Sequence, residues 1–167
     1  MNKPTINIIA AVGKNNVIGL KNALPWNLPA DLKYFAQTTK GKTVLMGENT
    51  FISILEKIGK PLSGRRNIVL TDKNKKFPDV ETVNSLEAAM KITGDEEIFV
   101  IGGASVYRQM LPLAEKLYIT EVNYDGAGDA FFPTIDQNQW TLEKEEPHTK
   151  DDKNDYDYNF KIYRQLK

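Results

Sequence analysis

The chain has 167 residues, the size of one domain, so a single core over residues 1–167 is the expectation. Hydrophobic residues at 41% and charged residues at 26% are ordinary for a globular protein, and 22 basic side chains balance 22 acidic ones, leaving no net field to attract nucleic acid or an anionic membrane. With no cysteine and one histidine, His148, the sequence excludes disulfides, thiol nucleophiles, Cys-based clusters and multi-His cages, so no metal site is expected.

The first apolar run, Ile6 to Val12, is interrupted by Asn7 and is too short for a membrane span or a secretory signal, which makes a cytoplasmic location the default. Strands are predicted over Asn7 to Val12, Thr43 to Met46, Asn67 to Thr71, Val80 to Val83 and Ile98 to Ile101; several are apolar on both faces, as in a buried parallel sheet. Between them, helices are predicted from Pro29 after Leu28, near Glu48, from Leu86 after the cap Ser85, and after Gly103. This alternation is that of an α/β fold. The stretch Ile18 to Leu32 joins the first strand to the first helix and is long for such a connection, which suits a lid or binding loop. After Leu117 the helices cease, and Leu117 to Val122, Trp140 to Glu146 and Tyr156 to Leu166 read as three strands that finish the sheet antiparallel. The densely charged segment Glu143 to Asp155 reads as a solvated turn.

Leu28, Asp31, Leu32 and Phe35 recur at three- and four-residue spacing and fall on one helix face. An acid in a first helical turn complements the dipole wherever it sits, but this one shares its stripe with apolar groups, a placement suited to a flat, amidine-like heterocycle. Met46 to Phe51 and Val100 to Tyr107 each run from a strand through glycine into a helix. Each alone is as consistent with tight packing as with an anion cradle; together they favour a ligand with a pyrophosphate. Arg65 and Arg66 stand beside a strand start. Either they are a solubilising pair or one grips a carboxylate through parallel hydrogen bonds.

Taken in order, Ile9-Ala-Ala11, Asn16-Val-Ile-Gly19, Leu24-Pro-Trp-Asn-Leu-Pro-Ala-Asp-Leu32, Val44-Leu-Met-Gly47, Pro61-Leu62, Gly64-Arg-Arg-Asn67, Val100-Ile-Gly-Gly-Ala104, Leu117-Tyr-Ile-Thr120 and Gly128-Asp129 resemble the dihydrofolate reductases across nearly the whole chain. The resemblance implies a single α/β domain with an eight-stranded, mostly parallel sheet, antiparallel C-terminal strands and four flanking helices. It also implies reduction of 7,8-dihydrofolate to tetrahydrofolate by hydride transfer from NADPH, in support of one-carbon and thymidylate metabolism.

Carried over residue by residue, the resemblance makes Asp31 the carboxylate for N3 and the 2-amino group of the pterin, with Thr120 as its partner. Trp26 would hold a water, Phe35 would stack on the ring, and Ile9 and Ile101 would lend carbonyls. Leu24, Ile54 and Leu62 would line the benzoyl channel, Arg65 would hold the glutamate carboxylate, and Ala11 and Leu32 complete the substrate set. Leu24, Trp26, Asp31, Tyr107 and Thr120 form the implied catalytic group. Ala11, Ile18, Gly102, Gly103 and Tyr107 would surround the nicotinamide; Gly47, Thr50 and Ser105 would serve the pyrophosphate and ribose. Gly19, Asn22, Leu70, Thr71, Ile101, Ala104 and Val106 are further implied cofactor contacts. The Gly102-Gly103 bond resembles the family's cis peptide.

The sequence departs from the family around the adenosine, where Glu48, followed by Asn49, replaces a common basic residue and Asp72 follows the strand. Two acids are unfavourable neighbours for a 2'-phosphate, so NADH enters as a possible cofactor beside NADPH. Lys73, Lys75 and Lys76 offset them, and Thr71 and Asn49 are available as donors. The implied partners are dihydrofolate and antifolates of the diaminopyrimidine or pteridine type, with a monomer and no nucleic acid or membrane partner expected. The rival reading is a non-catalytic pterin- or nucleotide-binding protein of the same fold. A reductase of a ribosylated pyrimidine would lack the Asp31, Phe35 and Arg65 set.

Overall fold

In the computed structural model, residues 3–72 and 74–166 are described; Lys73 lies outside them. The chain forms β1 (Thr5–Val12), β2 (Val17–Gly19), α1 (Pro29–Thr39), β3 (Thr43–Gly47), α2 (Glu48–Ile58), β4 (Arg66–Leu70), β5 (Glu81–Val83), α3 (Leu86–Thr93), β6 (Glu97–Val100), α4 (Ala104–Met110), β7 (Lys116–Val122), β8 (Ala130–Phe131), β9 (Trp140–His148) and β10 (Tyr158–Gln165). Eight strands make one sheet in the order β5-β4-β3-β6-β1-β7-β10-β9, parallel from β5 through β7 and antiparallel in its last two pairings. This is the architecture expected.

Apolar residues on both faces drive this arrangement, because a strand covered on both sides must bury consecutive side chains. On one face Ile8, Leu45, Ile68, Ile98 and Val100 pack with Ala89 of α3 and Val106 and Met110 of α4; on the other Ile9, Val44, Met46, Val69 and Phe99 meet Phe51 and the inner sides of α1 and α2. Local chemistry sets the helix ends. Ser85 accepts the Ala88 N–H at 3.0 Å to start α3, Pro29 opens α1, and Gly59 stops α2 with φ of 75°, a left-handed conformation that favours glycine.

Several boundaries move. The loop after β1 is not structureless: β2 pairs with β8 in a small second sheet, Leu20 bridges Ala23, and Asp129 accepts the Lys21 N–H at 3.0 Å. The pairing partner of β2 lies over a hundred positions away, so local periodicity carries no trace of it. Glu143 to Asp155 is not all turn, since Glu143 to His148 continue β9 as an exposed edge strand. Its charges protect that edge from pairing with other chains. Thr71, Val80, Ile101, Tyr156, Asp157 and Leu166 fall just outside the strands predicted to contain them.

Candidate active site

Asp31 is the third residue of α1 and is buried at 8% exposure. The Thr120 hydroxyl, on β7, donates to its Oδ1 at 2.6 Å. Burial pushes the Asp31 carboxyl above its ordinary pKa, and the Thr120 bond opposes part of that shift. Among the described residues no cation pairs with it. The predicted apolar stripe divides here, with Leu28 buried and Leu32 left 47% exposed.

Around this carboxylate stand other groups whose bonding is incomplete. Trp26 is buried edge-on against Tyr124, and its indole N–H is a buried donor with no acceptor among the described residues. Tyr107 donates to the Ile9 carbonyl at 2.9 Å, and burial drives its phenol pKa up, fixing it as a neutral donor. Phe35, Ile54, Leu62 and Ile101 pack in one cluster with Ile9, as a wall for a flat ring requires. The Arg65 guanidinium lies 5.9 Å from the centre of the Phe35 ring; its Nε is buried without a partner. Burial lowers the Arg65 pKa, though a guanidinium stays charged.

The two arginines separate cleanly. Arg66 is committed to Glu81 through Nε at 2.5 Å and Nη2 at 2.7 Å, to Glu96, and to the Ile92 carbonyl. Asn67, which sequence reading passed over, donates to the carbonyls of Leu62 and Arg65 and accepts the Leu62 N–H, holding the segment that carries Arg65. An asparagine at a strand start, where a side-chain amide can close a local turn, is the signal that was available.

Beyond the wall, β3 and β6 lead into α2 and α4 side by side. The Gly47 N–H donates to the Gly102 carbonyl at 2.9 Å, and the Gly102-Gly103 bond is cis. Gly102 has φ of 131°, and a Cβ there would meet Thr50 Oγ1 at 3.2 Å; at Gly47 it would meet Val106 at 3.3 Å. A side chain would crowd this junction, and at Gly102 the positive φ also favours glycine, so the backbone is left open to close approach by a pyrophosphate. Ile18 and Leu70 pack against the core containing Val106 and Tyr107. Ala11 is half-buried beside Trp26, Leu24 is exposed, and the Asn22 carbonyl accepts the Ser53 hydroxyl. Gly19 lies in β2 and Ala104 opens α4; Asn49 and Ser105 are exposed at the starts of α2 and α4, with Gln109 donating to the Ser105 hydroxyl.

Glu48 has partners within its own chain. Its carboxylate is turned to Thr71, whose hydroxyl donates at 2.5 Å, and to Lys75 at 3.0 Å, rather than standing as a bare negative charge. Thr71 is thereby engaged as a donor to Glu48, while Asp72 and Lys76 are exposed.

Residues 5–165 match the family model described as dihydrofolate reductase. The chain is 44% identical to the dihydrofolate reductase of Bacillus subtilis over 160 residues, covering 95% of this chain and 93% of that protein. It is 41% identical to that of Staphylococcus haemolyticus, covering 97% and 96%. The chain belongs to the dihydrofolate reductase family. A solved dihydrofolate reductase from Enterococcus faecalis, complexed with NADP(H) and RAB-propyl, superposes with a TM-score of 0.89 at 32% identity, covering 98% of this chain and 97% of that one. For a member of the dihydrofolate reductases the expected fold stands, and the enzyme reading prevails over that of a non-catalytic binding module.

Proposed function

We propose that this dihydrofolate reductase reduces 7,8-dihydrofolate at the cleft between α1 and β7, with Asp31 as the carboxylate that governs protonation of the pterin. The observation that supports this most is the bonding of Asp31: a buried acid holding one neutral hydroxyl and no cation, which leaves its second oxygen for a ligand. A pterin edge presents two N–H donors to such a carboxylate, in the parallel geometry of an amidinium. The cationic, protonated pterin is then favoured in a site with little water to screen it. Trp26, whose buried indole N–H has no acceptor among the described residues, would hold a water, and Leu24, exposed in the segment before α1, would admit that water to N5. Phe35, Ile54 and Leu62 hold the ring plane, and Arg65 takes the glutamate carboxylate. NADPH, when bound, supplies the hydride to C6. Gly47, Gly102, Gly103 and Thr50 would hold its pyrophosphate region, and Tyr107 with Ile18 would flank the nicotinamide.

The same reading takes residues 1–167 as one domain, a cytoplasmic monomer that engages no nucleic acid and is inhibited by diaminopyrimidine or pteridine antifolates. It is supported by one sheet drawing strands from Thr5 to Gln165, a balanced net charge, and the absence among the described residues of any helix long and apolar enough to cross a membrane. The test is to mix the protein with dihydrofolate and NADPH, or NADH, and follow loss of the reduced nicotinamide absorbance. Turnover is expected with NADPH. No turnover with either cofactor would return the protein to the class of non-catalytic pterin binders.

A further inference from the structure

Helix α1 lacks the cap that its position demands. The residue preceding it, Leu28, has no side-chain oxygen, yet the first N–H groups of a helix need acceptors. The N–H groups of Asp31 and Leu32 turn back to the Leu28 carbonyl at 3.0 and 3.2 Å, and Pro29 has none to satisfy. That leaves Ala30. Its N–H donates to Oδ1 of Asn154 at 3.0 Å, across 124 positions of sequence, from the turn joining β9 to β10. Asn154 is 6% exposed, deep for an amide in a charged turn. Its other end is fixed as well: Nδ2 donates to Asp151 Oδ1 at 3.0 Å, and that oxygen also accepts the backbone N–H groups of Asn154 and Lys153.

We propose that Asn154 is a positioning residue for the Asp31 carboxylate, capping α1 from the β9–β10 turn so that the first helical turn cannot fray. Ala30 is the immediate neighbour of Asp31, so loosening its N–H loosens the residue that faces the pterin. Three attachments fix the beginning of α1 to the antiparallel end of the sheet. Thr120 on β7 holds the carboxylate, Asn154 holds the backbone one residue earlier, and Phe160, the register partner of Thr120 on β10, stacks on Tyr34 at 4.0 Å. The Asp155 N–H adds a bond to the Asn27 carbonyl just ahead of the helix. The charged turn thus acts through α1, without touching the ligand.

The inference rests on Asp31 as the functional carboxylate, so its test includes readouts that do not depend on turnover. In Asn154→Ala the Ala30 amide should exchange with solvent markedly faster, and a carboxyl-carbon NMR titration should show the Asp31 pKa falling toward its ordinary value as water reaches it. The titratable groups facing Asp31 are Tyr34, Tyr107 and Tyr158, phenols whose own pKa values are raised, so they stay neutral through the titration. kcat/KM for dihydrofolate should drop roughly five-fold, the scale of a lost helix cap. Asn154→Asp combined with Asp151→Asn retains an oxygen acceptor for Ala30 without adding a net charge and should restore all three readouts. An Asn154→Ala protein of lowered Tm but unchanged Ala30 exchange and Asp31 titration would overturn the inference, as would a double variant that stays as impaired as Asn154→Ala. If Asp31→Asn keeps full activity, the reading of Asp31 fails separately, while exchange and titration still judge Asn154.

Discussion

Two sets of charges in this protein differ in how completely their own chain satisfies them. At the N-terminal ends of the parallel strands, Arg66 is bound to Glu81 and Glu96, Glu96 accepts the Thr43 hydroxyl, and Glu97 accepts from Lys42 and Asn7. Near the start of α1, Asp31 has a hydroxyl and, among the described residues, no cation; Arg65, just before β4, has an aromatic face and no carboxylate among them. The first group is complete without a ligand; the second is not. A buried charge left unmatched by its own chain costs stability, and the cost is offset when a substrate supplies the opposite charge. Structural and functional charges are thereby told apart by their bonding, even where they are adjacent in sequence, as Arg65 and Arg66 are.

The largest effect expected from breaking this contrast is at Asp31. Asp31→Asn should lower kcat/KM at neutral pH by about 3 kcal/mol, roughly a hundred-fold, because an amide cannot stabilise a protonated pterin. Stability should move the other way. Asp31 has a folded pKa raised above its unfolded value, so its favourable contribution is present below the unfolded pKa and is lost as pH rises through the folded one. At neutral pH, Asp31→Asn should therefore melt at a higher temperature than the parent, and the gain should vanish in acid. A calorimetric scan at the two pH values checks this sign.

The arginine pair gives the next effect. Arg65→Leu should weaken folate binding by roughly 2–3 kcal/mol while leaving hydride transfer at saturation much less changed. Arg66→Leu should leave KM for dihydrofolate nearly unchanged and cost roughly 1–2 kcal/mol of unfolding free energy, a figure already reduced for its partial exposure to solvent. Equal KM effects at the two positions would erase the distinction between them.

Smaller again is Thr120→Val, which removes the one hydroxyl on Asp31. It should raise the Asp31 pKa further and weaken antifolate binding by about 1.5 kcal/mol, read by a binding titration across pH. The smallest effect is at Glu48. Glu48→Gln keeps an oxygen for Thr71 but releases Lys75, so the kcat/KM preference for NADPH over NADH should rise up to about five-fold at low salt and less at high salt. An unchanged ratio would show that the Glu48–Lys75 pair does not influence the adenosine end.

What the sequence revealed of this arrangement follows its physics. The central strands were legible because both their faces are apolar, and the helix starts because Pro29 and Ser85 are local signals. Asp31 stood out as an acid on an apolar stripe, and the combined motifs placed it in its family. The β2–β8 pairing, the Asn154 cap and the Thr71 and Lys75 bonds to Glu48 were not legible. Each joins segments at least 23 positions apart through a short backbone pairing or a few polar atoms, which leave no periodicity behind. The resemblance pointed to Arg65 rather than Arg66, but the reason Arg66 is committed elsewhere, its bonds to Glu81 and Glu96, was not legible.

The most direct measurement is the ratio of kcat/KM for dihydrofolate between the parent and Asp31→Asn, followed from neutral pH down to the acid limit of stability. If the unmatched carboxylate favours the protonated pterin, the ratio is large at neutral pH and shrinks steadily in acid, where dihydrofolate becomes protonated in solution and Asp31 itself takes up a proton. A ratio near one at neutral pH, or one that does not change with pH, would contradict that role for Asp31.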